Sequence, residues 1–258
     1  MHVVAIHNLA ADKEKLAPAL AAVLGATVFE ALSRLRALGS GPLVVGVFGE
    51  KEQADKLSAK LESGGFRSLI LSAEEIEAGA HEHNVRRFAF GDLNLQVEPQ
   101  DGGSVIVPYR DVDLILRGTG ISSSSSTETT KQRKFDLGAA VLSGGLKMTK
   151  MTKTVREVLT EEREGFLRLF ARNGLTLLFR ENGIVYDALG SLRGLSRSGN
   201  FINTQVELRR RCTTALYDER LLNRAGLAAL LGPRLNPEEY SVVAFALLAK
   251  SLRKGRQG

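Results

Sequence analysis

Strand-like and helix-like segments alternate in a clear order over the first 72 residues of this 258-residue chain. The strand-like runs are β-branched or apolar, whereas the helix-like runs repeat apolar residues every three or four positions. Glycines stand between several of them and break the chain. The segments lie at 2–9, 12–24, 29–38, 43–48, 50–63 and 66–71. The pattern predicts a small α/β domain in the order strand, helix, helix, strand, helix, strand.

This order resembles the C-terminal domain of the bacterial ribosomal stalk protein, a fold shared with the adaptor of the Clp protease. The short stretches of sequence that support the resemblance are Gly25-Ala26-Thr27, Glu30-Ala31, Glu52–Leu57 and Leu61–Gly65. In the stalk protein a basic face on the first two helices docks translation factors. The corresponding residues here, Leu24 and Phe29, are apolar. The resemblance implies a protein-interaction module at residues 1–75.

After a stretch at residues 73–84, which we expect to be a polar linker, short apolar runs alternate with turn residues. The strongest turn signal is Asn173-Gly174 between two apolar runs, which predicts a β-hairpin. We expect about six antiparallel strands, closed by a helix that Asn200 caps. Such a meander resembles the pleckstrin-homology-like fold, and Val105–Arg117 is similar to a strand and turn that bacterial members often carry. The two resemblances together indicate a bacterial protein.

Two more helices are predicted near the end of the chain, at residues 218–231 and 237–252. The second is apolar on nearly every side between Val242 and Ala249, so we expect it to be buried. The chain is therefore predicted to be an α+β protein. It divides into an α/β interaction module at 1–75 and an antiparallel sheet domain with C-terminal helices at 76–258.

A basic, Ser/Thr-rich segment at residues 122–156 interrupts the second predicted domain. It opens with five serines, and a stretch of this composition buries too little apolar surface to offset its ordering entropy. We therefore expect no regular structure at Ser122–Thr130. Residues 131–156 then contain seven cations and one anion, Asp136. The net charge of these residues, +6, equals that of the whole chain. The cations are Lys131, Arg133, Lys134, Lys147, Lys150, Lys153 and Arg156.

Three interpretations of the apolar and basic stretch Phe135–Lys153 stay open. It can pack onto the sheet with its lysines in water, or lie in a membrane interface with its lysines on anionic lipid. It can also contact the phosphates of nucleic acid or another polyanion. No aromatic residues stand between the lysines and no nucleic-acid-binding motif is found, which counts against the last interpretation.

No catalytic motif is found in the sequence. The glycines, lysine and threonine at 138–149 lack the spacing of a phosphate-binding loop, and no histidine is placed to activate a nucleophile. The one cysteine, Cys212, excludes an internal disulfide and fits a reducing compartment; we expect it to pack in the interior. We find no signal-peptide pattern and no apolar run near the ~20 residues of a membrane span. We expect a cytoplasmic protein without catalytic, cofactor-binding or metal-binding residues.

These features favour a non-enzymatic protein-interaction or adaptor protein whose partner is another protein. The alternative is a peripheral binder of anionic membrane or of a polyanion, including nucleic acid, through residues 131–156. An enzyme is favoured least, because it would need a pocket in which acid and base groups converge.

Overall fold

The computed structural model describes residues 1–7, 12–37, 42–80, 82–135, 149–222, 224–236 and 240–256. At residues 121–135, at 149–162 and at some helix ends it describes the backbone alone. The chain forms two compact units, of which one contains Met1–Thr119 with Gly165–Gly258 and the other Gly120–Glu164. Helices and sheets are both present, and the predicted α+β class is confirmed.

The N-terminal elements follow the predicted order. They are β1 (His2–His7), α1 (Lys13–Leu24), α2 (Val28–Ala37), β2 (Leu43–Phe48), α3 (Lys51–Ser63) and β3 (Arg67–Ser72). The strands form an antiparallel sheet in the order β2-β1-β3. Gly25 ends α1 with a φ of 63°, in the left-handed region that favours glycine.

The three helices cover one face of this small sheet. Alternate strand residues point to this face because successive side chains of a strand point in opposite directions. The buried residues that meet there are Val4, Ile6, Leu43 and Val45 from the strands and Leu20, Leu35 and Leu61 from the helices. Burying each side chain stabilises the fold by roughly 1.5–3 kcal/mol relative to leaving it exposed.

A helix replaces most of the linker that the sequence predicts at residues 73–84. This helix, α4, spans Ala73–Ala80, and a strand begins at His83. A capping box starts it, because the Glu75 N–H donates to Ser72 Oγ at 3.2 Å and the Ser72 N–H donates to the Glu75 carboxylate at 2.9 Å. The linker prediction is therefore wrong, and the Ser-x-x-Glu pattern is the sequence signal for the helix.

Seven strands form the larger sheet, in the order β10-β7-β8-β9-β4-β5-β6. They are β4 (His83–Phe90), β5 (Asn94–Pro99), β6 (Val105–Pro108), β7 (Val112–Phe135), β8 (Thr149–Ala171), β9 (Thr176–Arg180) and β10 (Leu216–Leu221). The hairpin predicted at Asn173-Gly174 is confirmed as the β8–β9 turn, with Gly174 at a φ of 87°. The pairs β4–β9 and β7–β10 are parallel, so the sheet is mixed where an antiparallel one is predicted. Both parallel pairs join strands distant in sequence, which local patterns do not reveal.

The five-serine tract lies in strand β7, so the expectation of no regular structure at Ser122–Thr130 is wrong. A strand is ordered by backbone hydrogen bonds to its neighbours, here including β8, and these do not require apolar side chains.

Of the stretch Phe135–Lys153, residues 136–148 lie outside the described residues. The second unit, Gly120–Glu164, contains the whole of the predicted insertion at 122–156.

The larger sheet is strongly curved. Its edge strand β6 ends at Pro108, and β7, at the other side of the strand order, begins at Val112. The short connection spans at most about 14 Å, so the β6 edge must approach β7. Helix α5 (Arg197–Arg211) adds to the core of this sheet. The main contributors are Phe88, Leu95, Ile115, Leu167, Leu177 and Phe179 from the strands and Phe201 and Leu208 from α5.

The last two helices are α6 (Arg224–Leu231) and α7 (Ser241–Arg256). The prediction of a helix from residue 218 is wrong for its first part, because Asp218 lies in β10 and pairs with Leu116 of β7. The predicted start of the last helix at Pro237 lies outside the described residues, and the helix continues past the predicted end at Leu252. Among the described residues, no helix has the length and apolar character to cross a membrane.

Helix α7 packs in a core that includes residues of both sheets. Its buried residues Val243, Ala244, Leu247 and Leu248 share this core with Val3, Leu69 and Leu71 of the small sheet and Leu114, Leu116 and Phe170 of the larger one. The burial predicted for Val242–Ala249 is confirmed at six of its eight residues, while Val242 and Ala246 are partly buried. Arg253 of α7 also donates to both oxygens of Asp113, at 2.7 and 2.8 Å. Each predicted domain thus has its own core and a third core joins them, while the division at residue 75 stays a prediction.

The last residue of β1, His7, is a buried histidine in an unusual setting. Its side chain is 2% exposed, and neither ring nitrogen has a hydrogen-bond partner among the described residues. Burial first, and then the positive charges of Lys254 and Arg67, lower the pKa of His7. The folded protein therefore holds a neutral imidazole, whereas the unfolded chain takes up a proton near pH 6.5.

We expect the contribution of His7 to stability to be complete above pH 6.5 and to be lost as the pH falls below it. In that range the unfolded state binds more protons than the folded state, and the loss amounts to at most ~1.4 kcal/mol per pH unit. Urea denaturation at pH 7.5, 6.5 and 5.5 measures the free energy of unfolding. His7→Leu should have a weaker pH dependence than the natural protein; the same dependence in both would contradict this role.

Candidate protein-binding surface

Helix α5 and the loop before it form the candidate site. Ser196 caps the helix, since its side-chain oxygen accepts a hydrogen bond from the Gly199 N–H at 3.1 Å. The sequence predicts Asn200 as the cap, and that prediction is wrong. Asn200 instead holds the loop against the first turn, because its side chain accepts from the Gly194 N–H at 2.7 Å and donates to the Gly194 carbonyl at 3.1 Å.

The buried face of α5 is partly polar. Phe201 and Leu208 enter the core, but Thr204 and Gln205 are buried beside them. The Thr204 hydroxyl donates to the Asn200 carbonyl at 2.9 Å, and Gln205 Nε2 donates to the Tyr217 hydroxyl at 2.7 Å. These contacts fix the rotation of the helix about its axis and therefore determine which side chains face water.

The outward face of α5 is apolar instead. Ile202 and Val206, one turn apart, are 48% and 52% exposed. In the preceding loop Leu192 is 50% exposed and Leu195 is fully exposed. Asn203 Nδ2 donates to the Leu192 carbonyl at 2.8 Å and so keeps the loop against the helix. We call Leu192, Leu195, Ile202 and Val206 the α5 surface.

The segment that contains α5 carries more arginines than carboxylates. Residues 181–211 contain five arginines and three carboxylates. Arg193 pairs with Asp187 at 2.6 Å and Arg210 with Glu207 at 2.8 Å, so these two charges are compensated. Within the part of the chain that the structure describes, Arg197 contacts the neutral side chain of Asn182, at 3.2 Å. The segment therefore has a net positive charge.

A second exposed apolar pair lies at the start of α2. Val28 is 49% exposed and Phe29 is 80% exposed, whereas Leu24 is partly buried. The turn that presents them is well ordered, since the Thr27 N–H donates to Glu30 at 2.9 Å and the Glu30 N–H donates to Thr27 Oγ1 at 3.2 Å. The first of these hydrogen bonds is the main reason that the pKa of Glu30 is lowered. We call Val28 and Phe29 the α2 surface.

A cleft of about 590 Å³ opens at one end of the small sheet, with His2, Lys51, Asp55 and Glu75 in its lining. Its lysine and two of its carboxylates form ion pairs. Lys51 Nζ lies 2.7 Å from Asp55 Oδ2, and Glu75 pairs with Lys250 of α7. Among the residues that the structure describes, no three histidine, cysteine or acidic side chains are grouped as metal ligands.

A thiol and an ion pair are buried in the interior. Cys212 follows α5 and packs in the core of the larger sheet, as predicted. Burial raises the pKa of its thiol to about 11, so the thiol stays protonated at neutral pH. Arg168 of β8 forms an ion pair with Glu82 at 3.0 Å, and burial raises the pKa of Glu82 and lowers that of Arg168.

The residues that the sequence singles out as polyanion or membrane contacts lie on strands β7 and β8. Lys131, Arg133 and Lys134 belong to β7, and Lys150, Lys153 and Arg156 to β8, with only their backbone described. Lys147 lies outside the described residues. The two strands are neighbours in the larger sheet.

Comparison of the chain with protein-family models, curated proteins and solved structures finds no match. Function must therefore be inferred from the residues of this chain. The sequence alone does not single out the α5 surface, although Ile202 and Val206, four residues apart in a predicted helix, are a recognisable signal.

Proposed function

We propose that this protein is a non-enzymatic adaptor that works by binding another protein through the α5 surface. The observation that supports the proposal is the outward apolar face of α5, together with the apolar loop that hydrogen bonds from Asn200 and Asn203 hold against it. Large apolar side chains that are exposed singly are common on proteins, but a group of them rimmed by polar residues is typical of an interaction site.

The size of the α5 surface suits a transient partner. Complete burial of one such side chain stabilises by roughly 1.5–3 kcal/mol, and three of the four are already half-buried. Covering all four therefore gains about 5 kcal/mol before the entropic cost of association. Further contacts are needed for micromolar affinity, which corresponds to about 8 kcal/mol.

The α2 surface supports the adaptor role, because an adaptor must hold two partners. Val28 and Phe29 begin helix α2 of the N-terminal elements, whereas the α5 surface lies on the helix whose Phe201 and Leu208 enter the core of the larger sheet. The resemblance of residues 1–75 to stalk and Clp-adaptor domains implies the same role for that region. The curved sheet with α5 in its core supports the resemblance to pleckstrin-homology-like domains, which we retain as part of the proposal.

A pull-down tests the proposal. We expect the tagged full-length chain to retain one or more proteins from a lysate of its own cells, and Ile202→Asp/Val206→Asp to retain at least tenfold less of them. Each buried aspartate would add a desolvation cost to the lost apolar contact. Ile106→Asp is the matched control, since Ile106 is 61% exposed but lies in β6.

Equal retention by the natural chain and by Ile202→Asp/Val206→Asp would contradict the proposal, as would the absence of any retained protein. Thermal unfolding of each variant, followed by circular dichroism, checks that the variants are folded. Exposed substitutions of this kind change stability by about 0.5 kcal/mol or less.

A second candidate function is binding of anionic membrane or another polyanion through residues 131–156. It is favoured by the concentration of charge in this segment. Its seven cations and one anion, Asp136, give a net charge of +6, which equals that of the whole chain. Sedimentation with vesicles containing phosphatidylserine, or with nucleic acid, tests it at two salt concentrations. Charge reversal at Lys147, Lys150 and Lys153 should abolish binding, and binding that survives the reversal would exclude this function.

A further inference from the structure

We propose that helix α7 shields an edge of the small sheet and thereby prevents β3 from pairing with β3 of a second copy of the chain. Among the described strands of this sheet, β3 lies at one edge and pairs with β1 alone. An edge strand presents backbone N–H and carbonyl groups with which a further strand can pair. This inference concerns a different surface from the α5 surface and does not rest on the proposed function.

Two lysines of α7 bind backbone carbonyls of β3. Lys250 Nζ donates to the Ile70 carbonyl at 2.6 Å, and Lys254 Nζ donates to the Ser68 carbonyl at 3.1 Å. Ser68 and Ile70 are two residues apart in the strand, so their N–H and carbonyl groups point the same way. The lysines therefore occupy acceptors that a further strand would use.

A third residue of the same row is covered by a carboxylate. The N–H of Ser72, two residues beyond Ile70, donates to Glu75 at 2.9 Å. Glu75 in turn pairs with Lys250 at 2.5 Å. The shield thus extends along β3 from Ser68 to Ser72, and it includes a donor as well as two acceptors.

The spacing of the lysines matches the repeat of the strand. Four residues of a helix advance by about 6 Å, and two residues of a strand advance by about 6.6 Å. Lysines at i and i+4 of α7 therefore keep in step with every second carbonyl of β3. The helix is held in place for this by Val243 and Leu247, which share a buried core with Leu69 and Leu71 of the strand.

The C-terminal helices also cover the other edge of the small sheet. Gly232 directly follows α6, and a Cβ atom at this position would lie 3.2 Å from the Val44 carbonyl oxygen of β2. Leu231 at the end of α6 is buried in the same core as Val44. Since both edge strands are covered by one part of the chain, the shield at β3 is one half of a general closure of this sheet.

A second copy of the chain is the partner that fits an uncovered β3. The outward-facing row is symmetric about Ile70, so two antiparallel copies would pair Ile70 with Ile70 and Ser68 with Ser72. The residues from Ser68 to Ser72 carry no charge that would oppose this pairing. In the natural chain Lys250 and Lys254 of both copies would meet at the contact, and like charges repel.

Sedimentation velocity of the full-length chain at pH 7.5, over about a hundredfold range of concentration, tests the inference. We expect Lys250→Ala/Lys254→Ala to dimerise with a dissociation constant at least tenfold lower than that of the natural chain. Alanine keeps the helix but frees the two carbonyls and the space beside them. In the dimer, hydrogen exchange of the Ser68 and Ile70 amides should become slower, because these groups would lie in the new strand pair.

Lys56→Ala/Lys60→Ala is the matched control, since these exposed lysines have the same i, i+4 spacing on α3 and their loss changes the net charge equally. The inference is overturned if the natural chain already pairs through β3, or if Lys250→Ala/Lys254→Ala associates no more strongly than this control. It is also overturned if a dimer forms while exchange at Ser68 is unchanged, because association would then use another surface.

A single substitution keeps the test decisive if the double variant does not fold. Lys254 is exposed, and one exposed substitution of this kind leaves the fold intact. Lys254→Ala frees the Ser68 carbonyl alone and should still strengthen dimerisation relative to the natural chain. An unchanged dissociation constant would overturn the inference and would leave the adaptor role of the α5 surface untouched.

Discussion

Glu82→Gln is expected to lower the free energy of unfolding by about 3 kcal/mol. Glu82 and Arg168 form a buried ion pair, with side chains that are 12% and 8% exposed, and Arg168 Nη2 donates to Glu82 Oε1 at 3.1 Å. Glutamine keeps an acceptor oxygen but removes the negative charge, so the guanidinium stays buried without a counterion. Urea denaturation at pH 7.5 measures the loss.

Two variants show whether burial of the charge is the cause. Asp187→Asn removes one partner of the exposed Asp187–Arg193 pair and should cost less than 1 kcal/mol, because water screens that pair. Glu82→Leu/Arg168→Met removes both buried charges and should lie within about 1 kcal/mol of the natural protein. If Glu82→Gln cost no more than Asp187→Asn, the buried pair would have no special part in stability.

Phe245→Ala should lower the free energy of unfolding by about 3–5 kcal/mol. Phe245 of α7 is 7% exposed and packs edge-on against Phe166, with ring centroids 5.1 Å apart. The guanidinium carbon of Arg168 lies 4.0 Å from the centroid of the Phe245 ring. Alanine removes the ring from the core that joins the two sheets and leaves a cavity beside a buried cation. Thermal and urea unfolding both measure this loss.

Phe29→Ala is the matched control, because Phe29 is 80% exposed and its truncation should change stability by about 0.5 kcal/mol or less. Glu82→Gln and Phe245→Ala share Arg168 as a neighbour. Their combined effect should therefore differ from the sum by more than about 0.5 kcal/mol. Strict additivity would show that Arg168 does not couple α7 to Glu82.

Local patterns predict the elements of the N-terminal sheet well. The helices α1 and α3 repeat apolar residues with a helical period, and Gly25 breaks the chain where α1 ends. The error at residues 73–84 is also local, since the Ser72–Glu75 capping box is readable in the sequence. Such features depend on residues only a few positions apart, which the sequence displays directly.

Strand pairing between distant segments could not be read in the same way. Asp is a common residue at the start of a helix. Asp218 nevertheless lies opposite Leu116 in the parallel β10–β7 pair. The serine tract looks unstructured by composition, yet its backbone lies in β7. In both places the conformation depends on a partner strand that is remote in sequence, and pairing with that strand overrides the local propensity.

The α5 surface shows why the site was not predicted. Both faces of the helix carry large apolar residues, Phe201 and Leu208 on one and Ile202 and Val206 on the other. Hydrophobicity alone does not determine which face is buried. The choice is made by Asn200 and by Gln205, whose hydrogen bonds to Gly194 and Tyr217 fix the polar face inward. These contacts link segments that the sequence does not show to be neighbours.

Site-specific photocrosslinking is the most direct test of the central claim that this protein works by binding another protein through the α5 surface. A photoreactive phenylalanine analogue replaces Val206 in the full-length chain, which is irradiated inside its own cells; the same analogue at Ile106 is the control. We predict discrete adducts with another protein from position 206 and none from position 106. If position 206 gives no adduct, or the same adducts as position 106, the α5 surface is not the binding site.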